Sequence, residues 1–174
     1  SLMNRKHTVE YYINLINRLI KINSKIKFSS DFIIGYPGEN DKDFEDTLNL
    51  LKEIKFINSF SFIFSPRPGT PAAEIDQLDK NIAKERLSIF QKTAEDIKMK
   101  FRKNLYNKKS TVLFENRMVG KKEFFGRDEL QNSVIVKTSE DLKGKIKNVD
   151  ITGGNQNTLF GNIDFKNNQK NAAA

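Results

Sequence analysis

The sequence predicts an α/β unit followed by a small five-stranded β-barrel. Two observations predict this order: helix and strand patterns alternate up to about residue 105, and short β-rich runs separated by glycine-containing turns follow. A third observation is the composition, since 37% of the 174 residues are hydrophobic and no apolar run approaches the roughly 20 residues of a membrane span. We therefore expect a soluble, cytoplasmic protein with no membrane partner.

The first part of the chain alternates helix and strand. Thr8 is a candidate N-cap for a first helix, and the apolar run 32–34 ends a predicted strand that is mostly buried. A second helix is predicted from about Asn40, a second buried strand over 59–64, and a long third helix over about 80–105. This alternation is typical of parallel sheets with crossover helices. Two such units do not close a barrel, so either the chain is part of something larger or a partner covers the strand edges.

The second part predicts five short strands separated by turn material such as Gly153-Gly154-Asn155. The predicted strands are 111–114, 123–125, 133–136, 146–151 and 158–165. Their number and spacing are typical of a small barrel of the oligonucleotide-binding (OB) type. The end of the chain, 167–174, is polar and then alanine-rich, and we expect it to be disordered.

Positive charge is concentrated in the middle of the chain. The formal net charge is +8, of which residues 80–109 carry +7, residues 1–79 carry −1 and residues 110–174 carry +2. A basic stripe suits a polyanion, because phosphate contacts release counterions and give sequence-independent affinity. The alternative is a solvated lysine-rich face.

The composition excludes several kinds of site from the residues of this chain. There is no cysteine, which excludes disulfides and cysteine-ligated iron–sulfur clusters, and a single histidine, His7, which excludes a histidine-rich metal site. No pairing of a nucleophile with a general base is recognisable, so we assign no catalytic residue.

Two predicted strand ends carry candidate ligand-binding residues. A turn over 35–39 follows the first strand, and Arg67 lies between two prolines after the second. The carboxyl ends of parallel strands meet at one edge of a sheet, where α/β proteins bind ligands. Asp31 lies within the first apolar strand, where an acid is costly to bury without a partner. Asp31, Gly35 and Arg67 are therefore candidates for one site; the alternatives are an outward-facing aspartate, an ordinary turn and a solvated arginine.

Two long motifs carry a family resemblance over almost all of residues 3–165. They are residues 29–39, SSDFIIGYPGE, and residues 62–73, FIFSPRPGTPAA. Together with Lys84-Glu85-Arg86-Leu87, Gly126-Arg127 and Leu159-Phe160-Gly161, they closely resemble the radical S-adenosylmethionine (SAM) methylthiotransferases. The second motif is similar to the branch that acts on isopentenyl-adenosine next to the tRNA anticodon. The main alternative is the branch of the family that acts on threonylcarbamoyl-adenosine.

The resemblance implies the C-terminal portion of such an enzyme. Residues 1–79 would be part of a partial TIM barrel, made of the βα units of a radical SAM barrel, and 80–107 a linking helix. Residues 108–166 would be an OB-like TRAM RNA-binding domain and 167–174 a disordered tail. The complete enzyme would use SAM and two 4Fe-4S clusters, held by cysteines of a missing N-terminal half. This chain alone would then be inactive.

The resemblance and the charge together assign candidate binding residues. Those that would border the SAM pocket are Asp31, Gly35, Pro37, Gly38, Glu39 and Arg67. The partner would be the tRNA anticodon stem-loop, and its phosphates need mobile or forked cations. The candidates for those contacts are Lys108, Lys109, Arg117, Lys121, Lys122, Arg127 and Lys137. Phe124 or Phe125 is a candidate for stacking a base, with core packing as the alternative. A stand-alone RNA-binding module without catalysis is the alternative function.

Overall fold

A computed structural model describes residues 5–163, and the chain divides into two compact units between Lys98 and Met99. The elements in chain order are α1 (Val9–Ile22), β1 (Ser29–Ile34), α2 (Asp41–Ile54), β2 (Asn58–Ile63), a 3-10 turn (Pro71–Ala73), α3 (Lys80–Lys103), β3 (Lys109–Arg117), β4 (Glu123–Asp128), β5 (Ser133–Lys137), β6 (Ile146–Gly154) and β7 (Thr158–Ile163). Among the described residues, none of the helices combines the length and apolar character needed to cross a membrane. The tail predicted over 167–174 lies outside the described residues.

The first unit packs its helices on one face of a two-stranded parallel sheet. β1 and β2 are paired from Ser29 beside Asn58 to Ile34 beside Ile63. The buried core between sheet and helices contains Ile34, Phe44, Leu51, Phe56 and Phe90. This arrangement confirms a mixed α/β unit in which helices cross over between parallel strands.

Side-chain caps fix where the first two helices begin. The Thr8 hydroxyl accepts a hydrogen bond from the Tyr11 amide at 3.2 Å, as its position at the start of α1 predicts. At α2 the Asn40 and Asp43 side chains each accept the other's backbone N–H at 3.0 Å, which forms a capping box. The predicted start of α2 near Asn40 is therefore confirmed with its physical cause.

The prediction that both strands are buried is wrong for one face of the sheet. Phe60 and Phe62 are each 60% exposed and Ile33 is 41% exposed. Asp31 lies beside Phe60 and Ile33 beside Phe62, so these residues share the face opposite the helices. A continuous apolar run marks a strand as suited to burial on both faces, but the helices described in this unit cover only one.

The second unit is a closed five-stranded barrel, which confirms the five predicted strands. The strand order is β3-β4-β5-β7-β6, and all neighbours are antiparallel except β5 and β7. The buried core consists of Val112, Phe114, Phe124, Val134, Val136, Leu142, Val149, Ile151, Leu159 and Ile163. Leu105 and Tyr106 pack against this core from the segment that follows α3. The last two residues of the predicted fifth strand, 164–165, lie outside the described part.

Two glycines allow the strands of this small barrel to approach closely. A Cβ atom at Gly126 would collide with the carbonyl oxygen of Leu113, and one at Gly161 would lie 2.7 Å from the carbonyl oxygen of Asp150. Both glycines are buried inside the barrel. The Gly126-Arg127 and Phe160-Gly161 pairs noted in the sequence therefore have a packing reason: only glycine fits where the opposing strand passes.

A buried polar network connects the end of α3 to the turn over 155–157 and to Asn132, and the sequence did not reveal it. Arg102 is 3% exposed and donates hydrogen bonds to the carbonyl oxygens of Asn155, Gln156 and Asn157. Its Nε lies 3.4 Å from the Asn132 side-chain oxygen. The buried Asp128 carboxylate in turn accepts the Asn132 backbone and side-chain N–H groups at 2.8 and 2.9 Å. The network satisfies polar groups that would otherwise be costly to bury.

Candidate functional site

The turn after β1 is held in a conformation that favours glycine. Gly35 has φ +73° and is buried, and a Cβ atom there would lie only 3.0 Å from the Cβ of Ala83 on α3. Gly38 has φ +85° with open space beside it. The Glu39 amide donates to the carbonyl oxygen of Tyr36 at 2.9 Å and closes the turn. The sequence 35–39 therefore needs its two glycines for different reasons: Gly35 for both contact and backbone geometry, and Gly38 for backbone geometry.

An arginine on α3 holds this turn in place. Arg86 is 6% exposed, and its Nη1 donates to Glu39 Oε1 at 2.8 Å and to the Glu39 carbonyl oxygen at 3.1 Å. The other carboxylate oxygen of Glu39 accepts the Gly35 amide at 2.9 Å. One carboxylate thus connects the last residue of the turn to its first and to α3. Charge-assisted hydrogen bonds of this kind give both geometry and strength.

The charge state of Arg86 follows from the same contacts. Burial lowers the pKa of the guanidinium, but the hydrogen bonds and negative charges of Glu39 and Asp41 outweigh burial, so the pKa lies above its ordinary value. The second guanidinium nitrogen, Nη2, lies 2.6 Å from Oδ1 of Asp41. The Asp41 side chain is fully exposed, whereas the Glu39 side chain is only 9% exposed. The Glu39 pair is therefore the one that water does not screen.

Sequence reasoning placed Arg86 in the start of the linking helix and gave it no role. The available signal was its position on α3, between Ala83 and Phe90, where helical spacing predicts an inward-facing residue. Both neighbours are buried in the structure. An arginine at such a position needs a buried acceptor, and that acceptor is Glu39.

A cavity of about 610 Å³ opens beside the ends of the two strands. Its lining is mostly apolar and aromatic, and consists of Ile33, Tyr36, Phe62, Ile63, Phe64, Ser65, Arg67, Thr70, Pro71 and Ala72. The Tyr36 and Phe64 rings meet edge to face with centroids 5.0 Å apart. The Thr70 hydroxyl donates to the Arg67 carbonyl oxygen at 2.8 Å and stiffens the proline loop. The cavity suits a ligand with one flat apolar group and one anionic group.

The structure places the predicted pocket residues in three different settings. Arg67 lines the cavity just described, whereas Asp31 is exposed and lines a second cavity of about 530 Å³ together with Arg5 and His7. Ile33 borders both cavities. The other candidates lie in the turn and line neither cavity: Gly35, Pro37, Gly38 and Glu39. Asp31 and Arg67 thus line two different cavities, and Ile33 belongs to the lining of both.

The residues of this chain do not fit an iron–sulfur cluster. The sequence has no cysteine, and in residues 5–163 no group of three or more acidic or histidine side chains is arranged to hold a metal ion. Cysteine thiolates are the usual cluster ligands. No catalytic step through a cluster can therefore be assigned to side chains of this chain.

The predicted RNA-binding cations lie at the surface of the barrel unit and the segment before it. All seven are exposed: Lys108, Lys109, Arg117, Lys121, Lys122, Arg127 and Lys137. Two of them lie over aromatic rings, with Arg117 Cζ 4.6 Å from the Phe124 centroid and Arg127 Cζ 5.4 Å from the Phe125 centroid. Phe124 is fully buried, so its role is core packing, and base stacking remains open only for Phe125.

Comparison with known proteins gives one consistent family. Residues 1–51 match the model of the Radical SAM superfamily. The chain is 48% identical over 170 residues to a tRNA-2-methylthio-N(6)-dimethylallyladenosine synthase of Pelagibacter ubique (strain HTCC1062), covering 98% of this chain and 38% of that relative. Synthases with the same name from Rickettsia canadensis (strain McKiel) and Wolbachia pipientis wMel are 44% and 40% identical over 163 residues, covering 92% and 91% of this chain.

The chain spans less than two fifths of the length of these relatives, namely 38%, 36% and 37%. The match nevertheless extends over nearly all of this chain, through both the α/β unit and the barrel. A glycine turn at a strand end, a neighbouring cavity and a separate basic barrel accompany that match in the structure. The chain belongs to the radical SAM methylthiotransferase family.

Proposed function

We propose that this chain is the C-terminal part of a tRNA methylthiotransferase, which adds a methylthio group to isopentenyl-adenosine next to the anticodon. The observation that carries the proposal is the identity of 40–48% with synthases named for dimethylallyladenosine, another name for the same nucleoside. That name favours this branch over the one acting on threonylcarbamoyl-adenosine. We place the protein in the cytoplasm, because its substrate tRNA is there.

The first unit would supply walls of a SAM pocket within a partial TIM barrel. SAM carries an adenine ring, an anionic carboxylate and activated carbon–sulfur bonds. When SAM is bound, its carbon–sulfur bonds supply the chemistry. Tyr36, Phe62 and Phe64 offer apolar faces to the ring, and Arg67 offers a cation to the carboxylate. The turn over 35–39, fixed by Arg86, would border the pocket, and Asp31 would face it from the neighbouring cavity.

The second unit would hold the tRNA as a TRAM domain. Residues 99–163 contain 13 basic and 7 acidic side chains, a net charge of +6 on a closed barrel. The exposed cations would contact phosphates of the anticodon stem-loop, and affinity would then fall as salt rises. We retain the division into barrel units over 1–79, a linking helix over 80–107 and the RNA-binding domain over 108–166.

A chimera tests the enzymatic proposal. The matching segment of the Pelagibacter synthase is replaced by this chain, and tRNA nucleosides are analysed by mass spectrometry in cells that lack their own synthase. We expect the methylthio group to return, and the Arg67→Ala chimera to lose most of it. A chimera that is soluble and binds tRNA but leaves isopentenyl-adenosine unmodified would contradict the proposal.

The self-contained core of the barrel favours a second candidate, an RNA-binding module without catalysis. Its ten-residue core lies entirely within residues 112–163. Such a module would bind a defined RNA tightly by itself. Gel-shift titration of the anticodon stem-loop at two salt concentrations separates the candidates, because a part of an enzyme should bind weakly and lose affinity with salt. Tight binding at both concentrations favours the module.

A further inference from the structure

The outer surface of the barrel carries a row of apolar side chains across three neighbouring strands. Phe125 on β4 is paired with Ile135 on β5, which is paired with Phe160 on β7. Paired residues point to the same side of a sheet, and the residues on either side of them along each strand face the core. We call Phe125, Ile135 and Phe160 the outer apolar row. Three strands at the usual spacing make the row about 10 Å wide.

The row is accessible in the structure. Phe160 is 40% exposed, and Phe125 and Ile135 are half-buried. By contrast Phe124, the neighbour of Phe125 in the chain, is fully buried in the core. The exposure is therefore a property of one face of the barrel and not of loose packing.

Charged and small side chains flank the row along the strands. On one side Arg127 lies over the Phe125 ring, with Cζ 5.4 Å from the centroid, and its Nε pairs with Glu115 at 3.1 Å. Arg127 is followed across the sheet by the smaller residues Ser133 and Thr158. On the other side Lys137 on β5 lies beside Glu123. The row thus has a cation on each side, and the side chains next to Arg127 across the sheet are small.

We propose that the outer apolar row is a stacking platform for unpaired bases of a single-stranded RNA loop. Bases stack on aromatic side chains and guanidinium planes, and cations beside such rings meet the phosphates. The net charge of +6 on this unit complements RNA. A stable protein interface needs about 800 Å² on each partner, far more than three side chains supply. The proposal rests on the RNA-binding function above and adds which nucleotides are held: loop bases, not the paired stem.

Substitutions that separate the aromatic face from apolar bulk test the platform. Fluorescence anisotropy measures binding of the whole chain to a labelled anticodon stem-loop and to a duplex of the same length. We expect Phe160→Leu and Phe125→Leu each to weaken stem-loop binding about 5- to 100-fold, and Phe160→Tyr to retain it. Duplex binding should change little in all three. Phe60→Leu, at an exposed phenylalanine of the first unit, is the matched control and should bind as wild type.

Salt dependence separates stacking from phosphate contact. The Phe→Leu variants should keep the wild-type slope of log affinity against log salt, whereas Lys137→Ala should reduce it by about 0.7. Thermal unfolding shows whether each variant is folded. If a leucine variant is not folded, Phe160→Tyr, which keeps the aromatic ring, still tests the platform. Wild-type affinity in both leucine variants, or equal losses for stem-loop and duplex, would overturn the platform while leaving RNA binding intact. Failure of the wild-type chain to bind RNA at all would overturn both proposals.

Discussion

Replacing Arg86 with methionine should destabilise the first unit strongly. The substitution keeps most of the side-chain volume but removes the cation that pairs with the Glu39 carboxylate. Arg86 and Glu39 have side chains that are 8% and 9% exposed, and the two atoms are 2.8 Å apart. Removing one partner of a buried pair costs about 3–5 kcal/mol, because the other charge stays buried. The exposed Asp41 side chain is left out of this figure, since water replaces its contact.

A second substitution identifies the cause of that loss. Glu39→Gln in the Arg86→Met background removes the stranded charge and keeps an oxygen for the Gly35 amide. We expect it to recover a substantial part of the lost stability. A cost from cavity formation alone would not be recovered in this way.

Urea unfolding followed by far-ultraviolet circular dichroism measures both variants, because the signal comes mainly from the helices. Lys42→Met is the matched control: its pair with Asp46 has side chains 79% and 59% exposed. Such a surface pair contributes under about 1 kcal/mol. A loss in Arg86→Met no larger than that of the control, or a double variant no more stable than Arg86→Met, would refute the reasoning.

Three further tests concern the second unit. Gly126→Ala should destabilise it by about 1–3 kcal/mol or more in thermal unfolding, while Gly153→Ala, which meets open space, should cost much less. Arg102→Met should cost at least about 1.5 kcal/mol in the same assay, because a buried guanidinium that donates to three backbone carbonyls is lost. Replacing Lys121 and Lys122 together by alanine should weaken stem-loop binding and lower its salt slope by about 1.4 in gel-shift titration. Unchanged affinity would place the phosphate contacts elsewhere.

Local signals in the sequence were sufficient to predict the helices, the strands and the five-stranded barrel. The Thr8 and Asn40 caps act within three residues, and side chains alternate along each barrel strand, so both are visible in a short window. The Gly126 contact with β3 is not visible in such a window. The sequence nevertheless showed the five strands, because their closure buries every second residue.

The candidate site was only partly predictable because its contacts are long-range. Arg86 and Glu39 are 47 residues apart, and no periodicity connects them. The separate cavities of Asp31 and Arg67 follow from strand pairing: Asp31 precedes Ile33 on β1, while Arg67 follows the end of β2. Asp31 lies three residues before the end of β1 and not at the edge of the sheet that Arg67 follows, so the two side chains line different cavities.

The exposed face of the β1–β2 pair connects the proposed SAM pocket to the proposed partial TIM barrel. Burying an aromatic side chain fully stabilises a protein by about 1.5–3 kcal/mol, so Phe60 and Phe62, each 60% exposed, forgo much of that stabilisation in this unit. Further parallel strands that close the sheet into a barrel would bury both side chains in its interior, and relatives more than twice as long as this chain have the length to supply such strands. Asp31 and Ile33 lie on the same face and would then line the interior of that barrel. The cavities at Asp31 and at Arg67 both exist in this chain, and closure of the proposed TIM barrel would enclose the face that carries Asp31.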